Sequence, residues 1–211
     1  LPLCDDVHPL DKRTRGLYAV PDPAGIVRSA PGVGVVGAPQ ILGRLGDATR
    51  FKNLAAVRSF SGLVPRQNDS GVAANAGGPT KAGDACLREA LFNAADHARK
   101  IDPTLAARYH RLMTVEGKHH TSALCTISAV LLTRIASCLR AGHTYQLRDV
   151  DGTAITEAEG RSIVADRYTI PAATRAARRS LTAVARHPRR NERAQKGVAE
   201  RSEAPPVPAQ G

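Results

Sequence analysis

The sequence predicts a mainly α fold: a helix-hairpin-helix followed by a small helical bundle, with a long Gly-rich loop between them. Three observations predict it. Leu87, Ala90, Leu91, Ala94 and Ala98 recur at helical spacing over Asp84–Lys100. Asp102-Pro103 is a helix start and Gly142 a helix stop, and they bracket two further periodic stretches. Between two short apolar segments stands Ser29-Ala-Pro-Gly-Val-Gly-Val-Val-Gly-Ala38, whose Gly-x-Gly turn has the pattern of a helical hairpin. At 211 residues the chain is long enough for one domain with a substantial core.

Residues 1–24 are polar, hold four Pro before a clear pattern begins, and read as a tail or a linker arriving from something upstream. Ile26 and Val27 open a short apolar turn that Pro31-Gly32-Val33-Gly34 breaks. The next helix spans about Val36 to Leu45 and stops at Gly46, after which Asp47 or Thr49 caps a helix carrying Phe51, Leu54, Ala55 and Val57. Residues 61–83 have no sustained period and read as a long loop, a feature often functional inside a compact domain. Helices follow at Asp84–Lys100, from Pro103 through Tyr109 and Leu112 to about Val115, and from about Thr121 to Ala141, the last with Leu124, Ile127, Leu131, Ile135 and Cys138 inward. Arg134 near the middle of that last helix favours a core helix over a membrane span, because a central Arg costs about 2.5–3.5 kcal/mol in a bilayer. Glu157–Ala165 reads as one more helix. The organisation expected is a linker (1–24), a main domain (25–150), a helical extension (151–180) and a basic disordered tail (181–211).

Composition narrows the partner. The net charge is +11, with Lys+Arg 30 against Asp+Glu 19, which favours a polyanion such as nucleic acid. Aromatic residues make up 3% and Trp is absent, which disfavours a single-strand binder built on stacking platforms. All but six of the basic residues are Arg, suited to bidentate phosphate contact; the codon bias of a GC-rich genome accounts for the same excess. Cys4, Cys86, Cys125 and Cys138 have no CxxC spacing; the last three lie in apolar helical patterns and read as buried free thiols, which points to a cytoplasmic protein. No secretory signal is visible, and an opening Leu1 in place of Met suggests a preceding N-terminal part.

Four motifs carry chemistry. The Gly32 and Gly34 turn can offer backbone N–H groups to a DNA phosphate, or serve packing alone. The stretch Gly62-Leu-Val-Pro-Arg-Gln-Asn-Asp-Ser-Gly71, with Gly77-Gly-Pro-Thr-Lys-Ala-Gly83 after it, puts Ser70 in a loop where Arg66, Lys81 and Arg88 can converge on a phosphate; Asp-Ser-Gly is also an ordinary turn. Lys118-His119-His120 reads as the polar start of the last long helix rather than a metal site, since adjacent residues do not share a helix face. Arg175, Arg178, Arg179, Arg186, Arg189, Arg190 and Arg193 form a basic C-terminal stretch able to add salt-sensitive nucleic-acid affinity, or to remain a solvated tail.

In order along the chain stand Ile26-Val-Arg-Ser-Ala-Pro-Gly-Val-Gly34, Leu42-Gly-Arg-Leu-Gly-Asp47, Phe51-Lys-Asn-Leu-Ala55, Phe60-Ser-Gly-Leu-Val-Pro65, Asp69-Ser-Gly71, Gly78-Pro-Thr-Lys-Ala-Gly83 and Leu87-Arg-Glu-Ala-Leu91. Asp102-Pro103, Tyr109, Gly117-Lys118 and the apolar helix complete the series. This order and spacing over about residues 25–150 resembles the C-terminal transposase domain of the insertion-sequence one-ten / one-sixteen / nine-oh-two family, the bridge-RNA-guided serine recombinases. The resemblance implies that Ser70 is a nucleophile forming a covalent phosphoserine link to DNA. It implies DNA contact by Gly32, Gly34, Arg66, Lys81, Arg88 and Lys118, a structured guide RNA, and a homo-oligomer when intact. Members begin with a RuvC-like domain holding four acidic residues and Mg²⁺. Asp5, Asp6 and Asp11 have no surrounding strand pattern and do not replace it, so no cofactor is expected in this chain and the chain alone is expected to be inactive. A non-catalytic nucleic-acid-binding protein and an inactive mobile-element remnant are the alternatives.

Overall fold

A buried carboxylate opens the described structure. In the computed structural model, residues 22, 24–70, 73–80 and 82–185 are described, with side chains described outside 65–79 and 179–185. Asp22 is 4% exposed and accepts hydrogen bonds from Ile26 N (2.7 Å) and Val27 N (2.9 Å). It caps a single helical turn closed by Ser29 N to Gly25 O at 2.9 Å. The first limb of the expected helical hairpin is therefore one turn, not a helix. Residues 24–30 are too few to repeat the hydrogen bond, and Pro31 cannot donate one. Val27, Ala30 and Val33 nevertheless bury their side chains as a helix face would.

The second limb is helix α1, Gly37–Leu45, with Ala38, Ile41, Leu42 and Leu45 inward, ending at Gly46 as expected. Asp47 caps a 3₁₀ turn (Ala48–Arg50), and Asn53, not the Asp47 or Thr49 expected, caps α2 (Leu54–Ser61) through Ala56 N. Phe51 precedes α2 instead of lying on it; the Arg50 guanidinium sits 4.3 Å from its ring centre and 5.0 Å from that of Phe60.

The expected loop holds an antiparallel hairpin: β1 (Pro65–Ser70) pairs with β2 (Ala73–Pro79), in register Gln67↔Ala76, Asn68↔Asn75, Asp69↔Ala74 and Ser70↔Ala73, with a bulge between Pro65 and Gln67. Its segments, PRQNDS and AANAGGP, carry no alternation of apolar and polar residues and no β-branched residue. A backbone ladder needs neither, and for that reason the pattern was silent. Pro65 and Pro79 stand opposite each other at the open end.

Helices α3 (Ala85–Ala98), α4 (Pro103–Thr114) and α5 (His120–Ala141) follow, capped by Asp84, Asp102 and His119. An irregular segment with an isolated Arg148↔Ala154 bridge leads to α6 (Glu157–Arg167), which opens on a Thr156/Glu159 capping box, and α7 (Ala172–Ala185). With seven α-helices and one hairpin among the described residues, the protein is mainly α, as the sequence predicts.

Helix α5 is the centre of the bundle. It packs against α2, α3, α4, α7 and the 3₁₀ turn, while α1 covers α3 and α6 lies on α4. Leu124, Ile127, Leu131, Leu132 and Ile135 on α5 meet Leu87, Leu91, Leu105 and Met113 in one core. Each such fully buried side chain contributes about 1.5–3 kcal/mol. Among the described residues α5 is the helix long and apolar enough to cross a membrane, yet half of that stretch is buried inside the protein. Ser128, within it, donates to Leu124 O at 2.8 Å.

Two further expectations change. Cys138 is buried and Cys125 half-buried, but Cys86 is exposed, because it sits in the first turn of α3, one residue before the inward Leu87; Cys4 lies outside the described residues. The expected boundary at 181 falls inside α7. Arg175 on this helix donates to Ile170 O at 3.2 Å, and Arg178 lies against Gly117, so this part of the basic stretch is docked. Arg186, Arg189, Arg190 and Arg193 lie outside the described residues, as does the side chain of Arg179.

Candidate nucleic-acid interface

The root of the hairpin is a close contact of two backbones. Gly62 ends α2 with φ +69°, and a Cβ there would lie 2.6 Å from Gly83 N; a Cβ on Gly83 would lie 2.2 Å from Phe60 O. Only glycine permits that approach on both sides. Hydrogen bonds close the root: Thr80 N to Val64 O at 2.9 Å and Asp84 N to Phe60 O at 3.0 Å. Asp84 also accepts from Leu87 N at 2.7 Å and faces Arg44 of α1 at 3.5 Å, so α1, the hairpin and α3 share one joint. Ser70 is the last residue of β1, paired with Ala73 beside the tip. The side chains of Ser70 and Arg66 lie outside the described set, as does Lys81 altogether. Arg88 does not stand free beside them: its Nη1 donates to Ser61 O at 3.1 Å and braces the root.

The two glycines of the Gly-x-Gly turn divide their roles. Gly32 has φ +74°, and a Cβ there would meet Ala94 O at 2.3 Å and Ala98 N at 2.6 Å; it seats the turn on α3. Gly34 has open space where a Cβ would be. Val35 and Val36 beyond it are exposed, and Val36, the N-cap of α1, provides no side-chain cap.

Lys118 stands at the α4–α5 corner and pairs with Glu116 at 3.2 Å. That ammonium first, and then Arg111, holds the Glu116 carboxyl below its ordinary range. His119 caps α5 through Ser122 N, and His120 Nδ1 shares a 2.8 Å hydrogen bond with Tyr109 OH. Tyr109 is core, as expected, and burial raises its hydroxyl pKa. Three of the six expected DNA contacts thus fall at separate joints: Gly32 at the α3 seat, Arg88 at the hairpin root and Lys118 at the α4–α5 corner. Among the described residues no group of three or more His, Cys, Asp or Glu can hold a metal ion.

Sequence reasoning missed the most connected polar group. Asp102 is 1% exposed. Its Oδ1 accepts from Thr104 N (2.9 Å), Thr104 Oγ1 (2.6 Å) and Leu105 N (3.2 Å), as a helix cap should. Its Oδ2 accepts from Arg134 Nη1 (3.0 Å) and Tyr145 OH (2.5 Å). Tyr145 N in turn donates to Ser29 Oγ at 2.8 Å. One carboxylate thereby ties α4, α5 and the segment after α5 to the turn before α1. Asp102-Pro103 signals the cap; nothing local signals partners 32 and 43 residues away. Burial first, and then the Asp102 charge, pushes the Tyr145 hydroxyl far above its ordinary value.

The Gly-x-Gly turn also borders an open cleft of about 600 Å³ between the turn, α3 and α6. Arg28, Lys100 and Arg161 supply its cations, and none of them was singled out from the sequence.

A helical platform thus carries a glycine-pinched hairpin and a Gly-x-Gly turn within a strongly basic chain. Residues 24–110 match the family described as Transposase IS116/IS110/IS902. It is 32% identical over 123 residues to the "Insertion element IS110 uncharacterized 43.6 kDa protein" of Streptomyces coelicolor, a stretch covering 58% of this chain and 30% of that protein. It is 28% identical over 138 residues to the "Transposase for insertion sequence element IS1328" of Yersinia enterocolitica, covering 64% of this chain and 40% of the other. The chain thus spans well under half the length of these relatives.

Proposed function

We propose that this chain is the DNA-binding, serine-bearing part of an insertion-sequence transposase. The observation that supports this best is the position of Ser70. It ends β1 beside the tip of a hairpin held at its root by the Gly62–Gly83 contact, inside the span that matches the transposase family. A nucleophile on a hairpin with a fixed root can be presented to a duplex while the helices stay in place. In the reaction proposed, Ser70 Oγ forms a bond to a DNA phosphorus as one bridging P–O bond breaks. The serine proton is lost and the released deoxyribose oxygen takes up a proton. Attack by a sugar hydroxyl of another strand reverses these changes and rejoins DNA. Cations must neutralise the non-bridging oxygens during both steps, and Arg66 and Lys81 flank the serine in sequence for that task. Gly34 and the start of α1 would hold a backbone phosphate. Guide-RNA pairing, a homo-oligomer and a Mg²⁺-holding RuvC-like domain belong to the same reading, for the intact protein.

The test is Ser70→Ala in a full-length transposase that joins a RuvC-like half to this chain. Denaturing gels should show that the covalent protein–DNA adduct disappears while DNA affinity is retained. Recombination at an unchanged rate would remove Ser70 from the mechanism. A second reading, a nucleic-acid-binding protein without catalysis, draws support from Arg88, which braces Ser61 O instead of standing free for phosphate. Unchanged binding with no adduct from the unsubstituted enzyme would favour it.

A further inference from the structure

The cleft between the Gly-x-Gly turn, α3 and α6 brings together basic residues from three separate parts of the chain. Arg28 comes from the turn, Lys100 from the α3–α4 corner and Arg161 from α6. Arg161 lies 51 positions beyond the family-matched span, so that match assigns it no role. Its position is set by its neighbour: a Cβ on the buried Gly160 would lie 2.2 Å from Ile101 O, so the α6 backbone rests directly on the α3–α4 corner. The next residue then borders the same cleft as Lys100 and Arg28.

The state of each cation matters. Arg28 is exposed and has no hydrogen-bond or ion-pair partner among the described residues. Lys100 pairs with Asp96 at 3.0 Å and Arg161 with Glu157 at 3.2 Å, both in contact with water. Exposed pairs of this kind hold their partners weakly and can exchange a carboxylate for a phosphate at small cost. Glu157 also borders the cleft and opposes an incoming anion. With three cations against the carboxylates of Glu157 and Asp96 the cleft keeps a positive balance, and Gly37, the first residue of α1, opens onto it.

We infer that this cleft is a phosphate-backbone seat for duplex DNA, completed by Arg161 of the helical extension. The inference rests on the DNA-binding reading above and adds a site to it. The seat gives α6 a part in holding DNA, next to the turn that the family match covers. Its occupant is a duplex because the cleft is open and lined by three cations from separate segments, and a continuous phosphate backbone can engage more than one of them.

The test uses the full 211-residue chain and a non-specific DNA duplex, with affinity measured by fluorescence anisotropy over a range of salt. Arg28→Ala and Arg161→Ala should each weaken binding about three- to tenfold and reduce the salt slope by about 1. Glu157→Gln should strengthen binding. Arg140→Ala, an exposed site outside the cleft, removes the same charge and should change affinity less than twofold. Equal losses at Arg140 and Arg161 would show that net charge alone acts and would overturn the seat, leaving the DNA-binding reading standing. No duplex binding by the unsubstituted chain at low salt would overturn both. Losses confined to an RNA hairpin, with duplex DNA unaffected, would overturn the assignment to DNA. Unchanged circular-dichroism melts of the variants separate a lost contact from a lost fold.

Discussion

Two arginine–carboxylate pairs in this protein share their chemistry and differ in what surrounds them. Arg134 meets Asp102 at 3.0 Å and Arg161 meets Glu157 at 3.2 Å. The carboxylate is 1% exposed in the first pair and 61% exposed in the second. Asp102 has both oxygens engaged by backbone and side-chain donors from three segments, so its charge is replaced in the fold only by those donors. Glu157 has water as an alternative to Arg161. The same chemical pair is therefore architecture in one place and an exchangeable contact in the other. The number of hydrogen bonds that water cannot replace separates them.

Removing the buried member should have the larger effect. Asp102→Ala deletes the α4 cap and leaves Thr104 N, Leu105 N, Arg134 and Tyr145 without their acceptor. A loss of about 3 kcal/mol is expected in urea denaturation, at the low end for a broken buried pair because Arg134 retains some solvent contact. A loss below about 1 kcal/mol would break the contrast.

Alkaline pH probes the same node from its other side. Folding raises the Tyr145 pKa, so the neutral hydroxyl contributes stability that is full below the ordinary tyrosine value and declines as pH rises toward the higher folded value. Stability should therefore fall above about pH 10, and Tyr145→Phe should flatten that decline. At neutral pH the same substitution should cost about 1–2 kcal/mol for the lost hydrogen bond to Asp102. A stability–pH curve of identical shape in both proteins would place the alkaline transition elsewhere.

The exposed pair should be nearly silent in stability. Arg161→Ala is expected to change unfolding free energy by less than about 0.5 kcal/mol, measured by the same urea titration. The proposed seat places its effect in DNA affinity instead. A large stability loss would make Arg161 structural and erase the distinction.

Much of the helical scaffold is legible in the sequence. Asp84, Asp102-Pro103, Gly46 and Gly142 start or stop helices because capping is local chemistry, decided within four residues. The inward faces of α3 and α5 follow from spacing alone, and Leu87, Leu91, Leu124, Ile127, Leu131 and Ile135 are all buried. The hairpin was not legible, because its ladder is made by backbone groups and its side chains carry no alternation. The candidate site was legible in part. Ser70 and the Gly-x-Gly turn stand out as motifs, whereas Arg28, Lys100 and Arg161 are single basic residues among 30.

By itself, then, the sequence determined the mainly α class, the caps, the core faces, the basic balance and the motif order that resembles a transposase domain. These are properties of neighbouring residues or of simple sums. Only the tertiary structure decided that Gly32 seats a turn on α3, that Gly62 and Gly83 pinch the hairpin root, and that Arg88 is used there. It alone joined Asp102 to Arg134, Tyr145 and, through Tyr145, Ser29. Each of these contacts joins residues 27 or more positions apart, except the Gly62–Gly83 contact, which spans the hairpin between them. Such contacts form because the packed helices bring distant backbone and side-chain groups within hydrogen-bonding range, a condition no local pattern encodes.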